Sequence, residues 1–243
     1  MTTELRRLTV RIDNDRWQET VLAEVDLVVP RGRITAVLGG PGAGKTMLAA
    51  ALTGRLPSTA RCQGQVVVDG VVIAPDQGPL PEDVVGYVPQ EGVAAFDSQL
   101  TVGSQFRASE QRHGAWTIER ACAAAHYPVD ALELLPGQHS GGQIQRAALA
   151  AALLPAPPIL VADGPANSLD AGTSYGVWTS LRAYADSGAA VLAISNEVRL
   201  LTTGGFADHL VVLHEGRILD QGPTTHLAAS PDPYVRALIN SGR

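Results

Sequence analysis

The run GGPGAGKT, Gly39 to Thr46, stands between the apolar segment RITAVL and the helix-like segment KTMLAAALTG. It satisfies the pattern GxxxxGK[ST] and has the strand–loop–helix context that the pattern requires. Glycines let a main chain wrap closely around anionic oxygens, so that successive N–H groups and the following helix N-terminus face the anion. Gly39, Gly40, Pro41, Gly42, Ala43 and Gly44 are therefore expected to form a phosphate cradle. Lys45 would neutralise charge on β and γ phosphates, and the Thr46 hydroxyl would ligate magnesium. The plain alternative, a glycine-rich turn with a chance lysine, does not account for the strand and helix on either side.

The rest of the chain alternates between strand-like and helix-like segments. LTVRI and VLAEVDLVV read as antiparallel strands, and GQVVVDGVVI as a hairpin with Asp69 and Gly70 at its turn. Strand character is lost from about Thr101 to Tyr127, where TIERACAAAHY is helical in pattern. Alternation returns with a helix from Ser140, the strand PILVAD, a helix from Asp170 to Ser187, the strands AAVLAIS and HLVVLHEG, and C-terminal helices. These segments predict an α/β core, with an antiparallel β part and a short helical subdomain at about 101–155 inserted in it, making one domain over 1–243.

Composition bounds the function. A chain of 243 residues with 45% hydrophobic content can bury a full core. Its net charge of -6, from 18 basic and 24 acidic residues, gives no electrostatic footprint for nucleic acid. Cys62 and Cys122 form no CxxC or metal spacing, and inert thiols in a cytosolic chain are the expected reading. The N-terminus enters a strand without an apolar signal core. The longest uncharged stretch, Ala147 to Ala162, is shorter than the roughly 20 residues a membrane span needs and holds three prolines. No membrane crossing is expected.

Two further features narrow the chemistry. Asp163 ends the run PILVA and is the natural carboxylate to meet magnesium beside a phosphate loop, either directly or through its water. HSGGQIQR, His139 to Arg146, places the good N-cap Ser140 before two glycines, which creates a second helix end facing an anion. One nucleotide has little use for two such ends, so the second is expected to serve ATP held by another subunit. In the order GGPGAGKT, VPQ, SGGQ, ILVAD, NSLD, the chain resembles the ATP-binding subunit of an ABC transporter over nearly its whole length. The resemblance implies a P-loop NTPase core of ABC ATPase type, with ATP and magnesium as ligands.

The resemblance implies residue roles as well. Gln90 is similar to the glutamine that links magnesium and the attacking water to the membrane partner, so Thr46, Gln90 and Asp163 would share the metal. Trp17 is similar to the aromatic residue that stacks on adenine, with a core tryptophan as the alternative. Asp170 matches the aspartate of the loop that crosses to the partner subunit. Ser140, Gly141, Gly142 and Gln143 would act on partner-bound ATP, while the usual leucine before them is His139. Two positions depart from the family. Gly164 stands where a glutamate orients the attacking water, and Asn196 where a histidine contacts the γ phosphate. Loss of a positioned base lowers rate by about 100-fold to 10,000-fold, so a degenerate, slowly hydrolysing site is expected.

VPQEGVAAFDSQLTVGSQF and PDPYVRALI look like the oligopeptide, dipeptide and nickel importer branch. That likeness implies a second, different ATPase subunit, two transmembrane permease subunits and an extracellular solute-binding protein. It places this chain peripherally on the cytoplasmic face of the cell membrane. The short helical region between Phe106 and His139, and an ending at Arg243 without the branch's cysteine-bearing extension, leave the solute open and argue against an iron–sulfur site. Three other readings compete. A DNA-repair or chromosome ATPase would need a coiled-coil insertion or a basic groove, and a small-molecule kinase leaves SGGQ and NSLD without purpose. A degenerate exporter half is the stronger competitor.

Overall fold

The computed structural model describes residues 2–14, 17–76, 78–167 and 169–241. Ser168 of the NSLD run and Arg243 lie outside the described residues. The chain begins with the strands β1 (Thr2–Asn14), β2 (Trp17–Pro30) and β3 (Ile34–Leu38), then the helix α1 (Lys45–Thr53). The strands β4 (Ala60–Val68), β5 (Val71–Ile73) and β6 (Val85–Val88) follow, with the helices α2 (Val102–His113), α3 (Ile118–Ala124) and α4 (Gly141–Leu153) after them. β7 (Ile159–Asp163), α5 (Ala171–Asp186), β8 (Ala190–Ile194), α6 (Val198–Thr202), β9 (His209–His214), β10 (Arg217–Gly222), α7 (Thr224–Ala228) and α8 (Pro233–Asn240) complete it.

These strands make two sheets. The smaller is antiparallel in the order β2-β1-β4-β5, and Asp69–Gly70 closes the β4–β5 hairpin as the sequence predicts. The larger has the order β10-β9-β3-β8-β7-β6, parallel except for its edge strand β10. Its inner strands are buried on both faces, which explains their continuous apolar runs. Side chains alternate between two cores. Ile34, Ala36, Leu160, Ala162, Val191 and Ala193 face the helices α2–α5, whereas Val37, Ile159, Val161, Leu192 and Ile194 face α1 and the antiparallel sheet. The thiols are chemically quiet: burial pushes both Cys62 and Cys122 up to about 11, so little thiolate exists at neutral pH.

Local chemistry sets the helix ends. Thr101, Thr117, Ser140 and Asp170 cap α2, α3, α4 and α5 with side-chain oxygens, each satisfying backbone N–H groups that have no partner inside the helix. Gly54, in the left-handed region, ends α1. The predicted helix from Ser140 therefore begins at Gly141 with Ser140 as its cap. Two further elements, β10 and α6, were not visible in the apolar pattern.

A polar cluster ties α5 to the base of β3. Asp208 accepts from the Ile34 N–H at 2.8 Å, from Arg33 at 2.6 Å and from Arg182 at 2.5 Å, while Arg182 also donates to the Gly32 carbonyl at 2.9 Å. Burial alone would raise the Asp208 carboxyl, but these donors outweigh it and hold its pKa below the ordinary value. A depressed carboxylate contributes its full stability above the unfolded-chain pKa, about 3.9, and loses it as pH falls through the lower folded value. Asp208→Ala is expected to cost about 1.5–3 kcal/mol at pH 7. Denaturant unfolding at pH 7 and pH 3 checks this. The gap between wild type and variant should shrink at pH 3, and a gap that is constant with pH would contradict the assignment.

Candidate nucleotide site

Strand order assembles the site. β3 ends at the glycine loop, β7 at Asp163, β8 two residues before Asn196, and β6 two residues before Gln90. Because these strands are parallel, all four ends open on one edge of the sheet, where ligands of such folds bind. A cavity of about 460 Å³ lies there. Its lining includes Pro41 through Met47, Gln90, Asp163, Gly164, Asn167, Ser195 and Asn196.

The loop geometry depends on glycine at Gly44. Its φ is +101°, and a Cβ there would stand 2.9 Å from the Val21 carbonyl oxygen and from Leu22 Cδ2. No larger residue fits that turn, and it aims the N-terminus of α1 into the cavity. Lys45 is folded back on its own loop, its Nζ donating to the carbonyls of Gly39 at 2.7 Å and Gly40 at 2.9 Å. Burial lowers the Lys45 pKa, with Asp163 opposing. The Gly40 N–H donates to the Tyr234 hydroxyl at 3.2 Å, so α8 braces the loop. Tyr234 in turn packs on the His214 ring at 4.5 Å between centroids. Sequence reasoning missed Tyr234, which lies 194 positions away.

Asp163 is 2% exposed, and its Oδ2 has no hydrogen-bond partner. Burial pushes its carboxyl up, while the Thr46 hydroxyl and Lys45 pull it down. A buried carboxylate oxygen without a donor is costly unless a cation meets it. The carboxylate of Asp163, the hydroxyl of Thr46 and the amide of Gln90 line the same cavity as an all-oxygen set suited to magnesium. The residues present fit the ion.

Gly164 and Asn196, following β7 and β8, bring neither a carboxylate nor an imidazole to this cavity. Among the described residues, Asp163 is the one carboxylate lining the cavity. Gly164 has φ +61°, and a Cβ built there would fall 2.1 Å from Asn167 Nδ2. Glu197, next to Asn196, accepts from the Ser174 hydroxyl at 2.7 Å and from Trp178 Nε1 at 2.9 Å, and is thereby committed to α5.

Ser140, Gly141, Gly142 and Gln143 do not line this cavity. They form the exposed N-terminus of α4, where Ser140 Oγ accepts from the Gln143 N–H at 3.2 Å and Gln143 Oε1 from the Ser140 N–H at 2.9 Å. His139 is anchored behind them, with Nε2 2.7 Å from the Tyr127 hydroxyl and Nδ1 3.0 Å from the Leu135 carbonyl. Asp170 caps α5, accepting from the N–H groups of Gly172 and Thr173 at 3.0 Å each. Trp17 pairs with Asn14 at the end of the β1–β2 pair where the chain passes from one strand to the next, 48% exposed and outside the cavity lining. Of the two expectations for Trp17, a fully buried core position does not hold, and the side chain is half-exposed.

Gln145, also missed in the sequence, links the two regions. It is 4% exposed and donates from Nε2 to the Pro89 carbonyl at 3.1 Å, one residue before Gln90. Contact between the α4 backbone and the loop after Gln90 is close enough that a Cβ on Gly92 would be 2.6 Å from the Ile144 carbonyl oxygen. Gln145→Ala should lower stability by about 1–3 kcal/mol through the unpaired buried carbonyl. It should also speed amide exchange across residues 90–95, and unchanged exchange there would show that the loop does not depend on α4.

The sequence model of the ABC transporter family matches residues 22–167, more than half of the chain. ZnuC of Alkalilimnicola ehrlichii, a zinc import ATP-binding protein, is 34% identical over 241 residues, covering 98% of this chain and 83% of that protein. CntD of Staphylococcus aureus, the ATP-binding protein of a metal-staphylopine import system, is 25% identical over 256 residues, covering 98% and 92%. A dimeric ATP-binding cassette in a post-hydrolysis state, bound to ADP and Pi, superposes with a TM-score of 0.76 at 22% identity. It covers 91% of this chain and 98% of that one. At that identity the likeness concerns the fold, and the fold agrees with the P-loop ABC ATPase core expected from the sequence. With the glycine loop, Asp163 and the parallel-strand edge in the places that the family model spans, this chain belongs to the ABC transporter ATP-binding family.

Proposed function

We propose that this chain is the ATP-binding subunit of an ABC importer for peptides or similar small solutes or metal chelates, with an own site that binds Mg-ATP and hydrolyses it slowly. The observation that carries this is a complete phosphate cradle facing a wall without an acid or base, formed by Gly164, Asn167 and Asn196. Backbone N–H groups of the loop's cavity-lining part and of the start of α1 would hold the phosphates, and Lys45 would leave its two carbonyl partners to meet the β and γ oxygens. Thr46, Gln90 and Asp163 would hold magnesium, which when bound neutralises charge on those oxygens. Trp17, exposed at its hairpin end, would stack on adenine.

The α4 end has no part in this cavity, so Ser140 to Gln143 would complete a competent site on a second ATPase subunit that supplies its own glutamate. Importer relatives support the direction of transport: those named above act on zinc and metal-staphylopine, and a putative peptide import ATP-binding protein of Brucella ovis is 28% identical over 91% of this chain. A cleft of about 550 Å³ beside Gln90, lined by Tyr87, Phe96, Leu100 and Phe106 with Arg55, Glu82 and Arg112, would receive a cytoplasmic loop of one of two permease subunits. No helix among the described residues is long and apolar enough to cross a membrane. Attachment to the cytoplasmic face would therefore run through those permeases, with an extracellular solute-binding protein as the remaining partner.

The test is the ATPase rate of the reconstituted assembly at saturating Mg-ATP. Gly141→Asp, which sets a carboxylate against the partner's phosphate, is expected to lower turnover by about 100-fold or more. Lys45→Ala should weaken one site and leave more residual hydrolysis. Gly164→Glu alone should recover little, because the left-handed backbone strains any side chain there and Asn196 still departs from the family's histidine. If Gly141→Asp were tolerated while Lys45→Ala removed turnover, this chain's own site would be the engine and the reading would be wrong.

A further inference from the structure

We propose that Asn167 is a ligand of the terminal phosphate, and that it takes the place vacated by the missing carboxylate at Gly164. This rests on the reading of the cavity as an Mg-ATP site and goes beyond it in giving a role to Asn167, the first residue of the NSLD run, of which the resemblance assigned a role to Asp170 alone. Three observations carry it. The Asn167 amide lies over Gly164, with Nδ2 2.1 Å and Cγ 2.7 Å from the point where a Cβ would begin. Asn167 lines the cavity together with Lys45, Asp163 and Asn196. The turn that presents it is closed by its own backbone, the Asn167 N–H donating to the Gly164 carbonyl at 3.0 Å, so the side chain is not needed to hold the turn.

The chemistry follows from the exchange of groups. A glutamate at this point would bring a negative charge toward the γ phosphate and a base toward water. An asparagine brings a neutral amide whose N–H₂ donates and which takes no proton. With Asn196 on the neighbouring strand end, two amides face the terminal phosphate. Attraction to that phosphate is gained where base catalysis is lost, and the site becomes one that discriminates triphosphate from diphosphate and retains it. The absence of a side chain at Gly164 and the presence of Asn167 are thus one steric unit: the amide can occupy the slot because nothing projects from Gly164.

Equilibrium binding of Mg-ATP and Mg-ADP to the purified full chain tests this without turnover. Asn167→Ala is expected to weaken ATP binding by about tenfold or more, as for loss of a hydrogen bond to a charged group, and to leave ADP binding within about twofold. Asn167→Asp, which turns the donor into a like charge, should weaken ATP binding further than Asn167→Ala does. Equal losses for ATP and ADP, or ATP binding unchanged in both variants, would overturn the proposal. A wild-type chain that bound neither nucleotide would instead remove the Mg-ATP reading on which it stands. Thermal unfolding gives a second measurement. Gly164→Ala should lower Tm, and Asn167→Ala in the same chain should restore part of the loss; strictly additive shifts would place the amide elsewhere and overturn the proposal.

Discussion

Four parallel strands buried on both faces allow polar chemistry only where they end. β3, β6, β7 and β8 carry apolar side chains into two separate cores, so a charged group along their length would lie in a medium that penalises it. The carboxyl ends escape that limit. There the glycine loop, Gln90, Asp163 and Asn196 emerge onto one edge, and the loop's N–H groups and the start of α1 supply fixed positive dipoles without the cost of burying a cation. Even so, Asp163 remains buried with one oxygen unpartnered, a local cost that a bound cation would offset.

The same edge explains how binding and hydrolysis can part company. Holding phosphate requires backbone donors and a lysine, all of which come from one continuous stretch between β3 and α1. Moving a proton requires a separate side chain after β7 or β8. Here those positions are Gly164 and Asn196, and the carboxylate of the following residue, Glu197, is held by Ser174 and Trp178. Side chains at two strand ends can thus vary and leave the cradle untouched. The N-terminus of α4 stands outside the cavity, and its capping box orders it without any nucleotide.

Regions lying far apart in the sequence are joined by a few buried polar contacts. Gln145 fastens α4 to the backbone before Gln90, so any displacement of the helices α2–α4 bears on a residue that lines the cavity. Tyr127 and His139 pin the start of α4 from behind, a hydrogen-bonded stacked pair where the family's usual leucine would offer only apolar contact. Tyr234 braces the glycine loop from the far end of the chain. Contacts of this kind are worth more buried than exposed, because breaking them leaves polar groups without water.

What could be read without the structure was local. The glycine loop, the cap at Ser140, the Asp69–Gly70 hairpin and the apolar strands each express a short-range rule of turn chemistry or periodicity, and the motif order named the family. The absence of a side chain at Gly164 was equally plain, since it needs no coordinates. Strand order was not legible, because β3 pairs with β8 and β9, well over half the chain away, and periodicity says nothing about neighbours. β10 escaped notice because an edge strand alternates exposed and half-covered residues and shows no apolar run. The exposure of Trp17, the tether at Gln145, the brace at Tyr234 and the seating of Asn167 on Gly164 were decided only by tertiary structure. Each depends on two surfaces meeting at a distance of a few ångströms, a quantity set by packing of the whole core and encoded in no single stretch of chain.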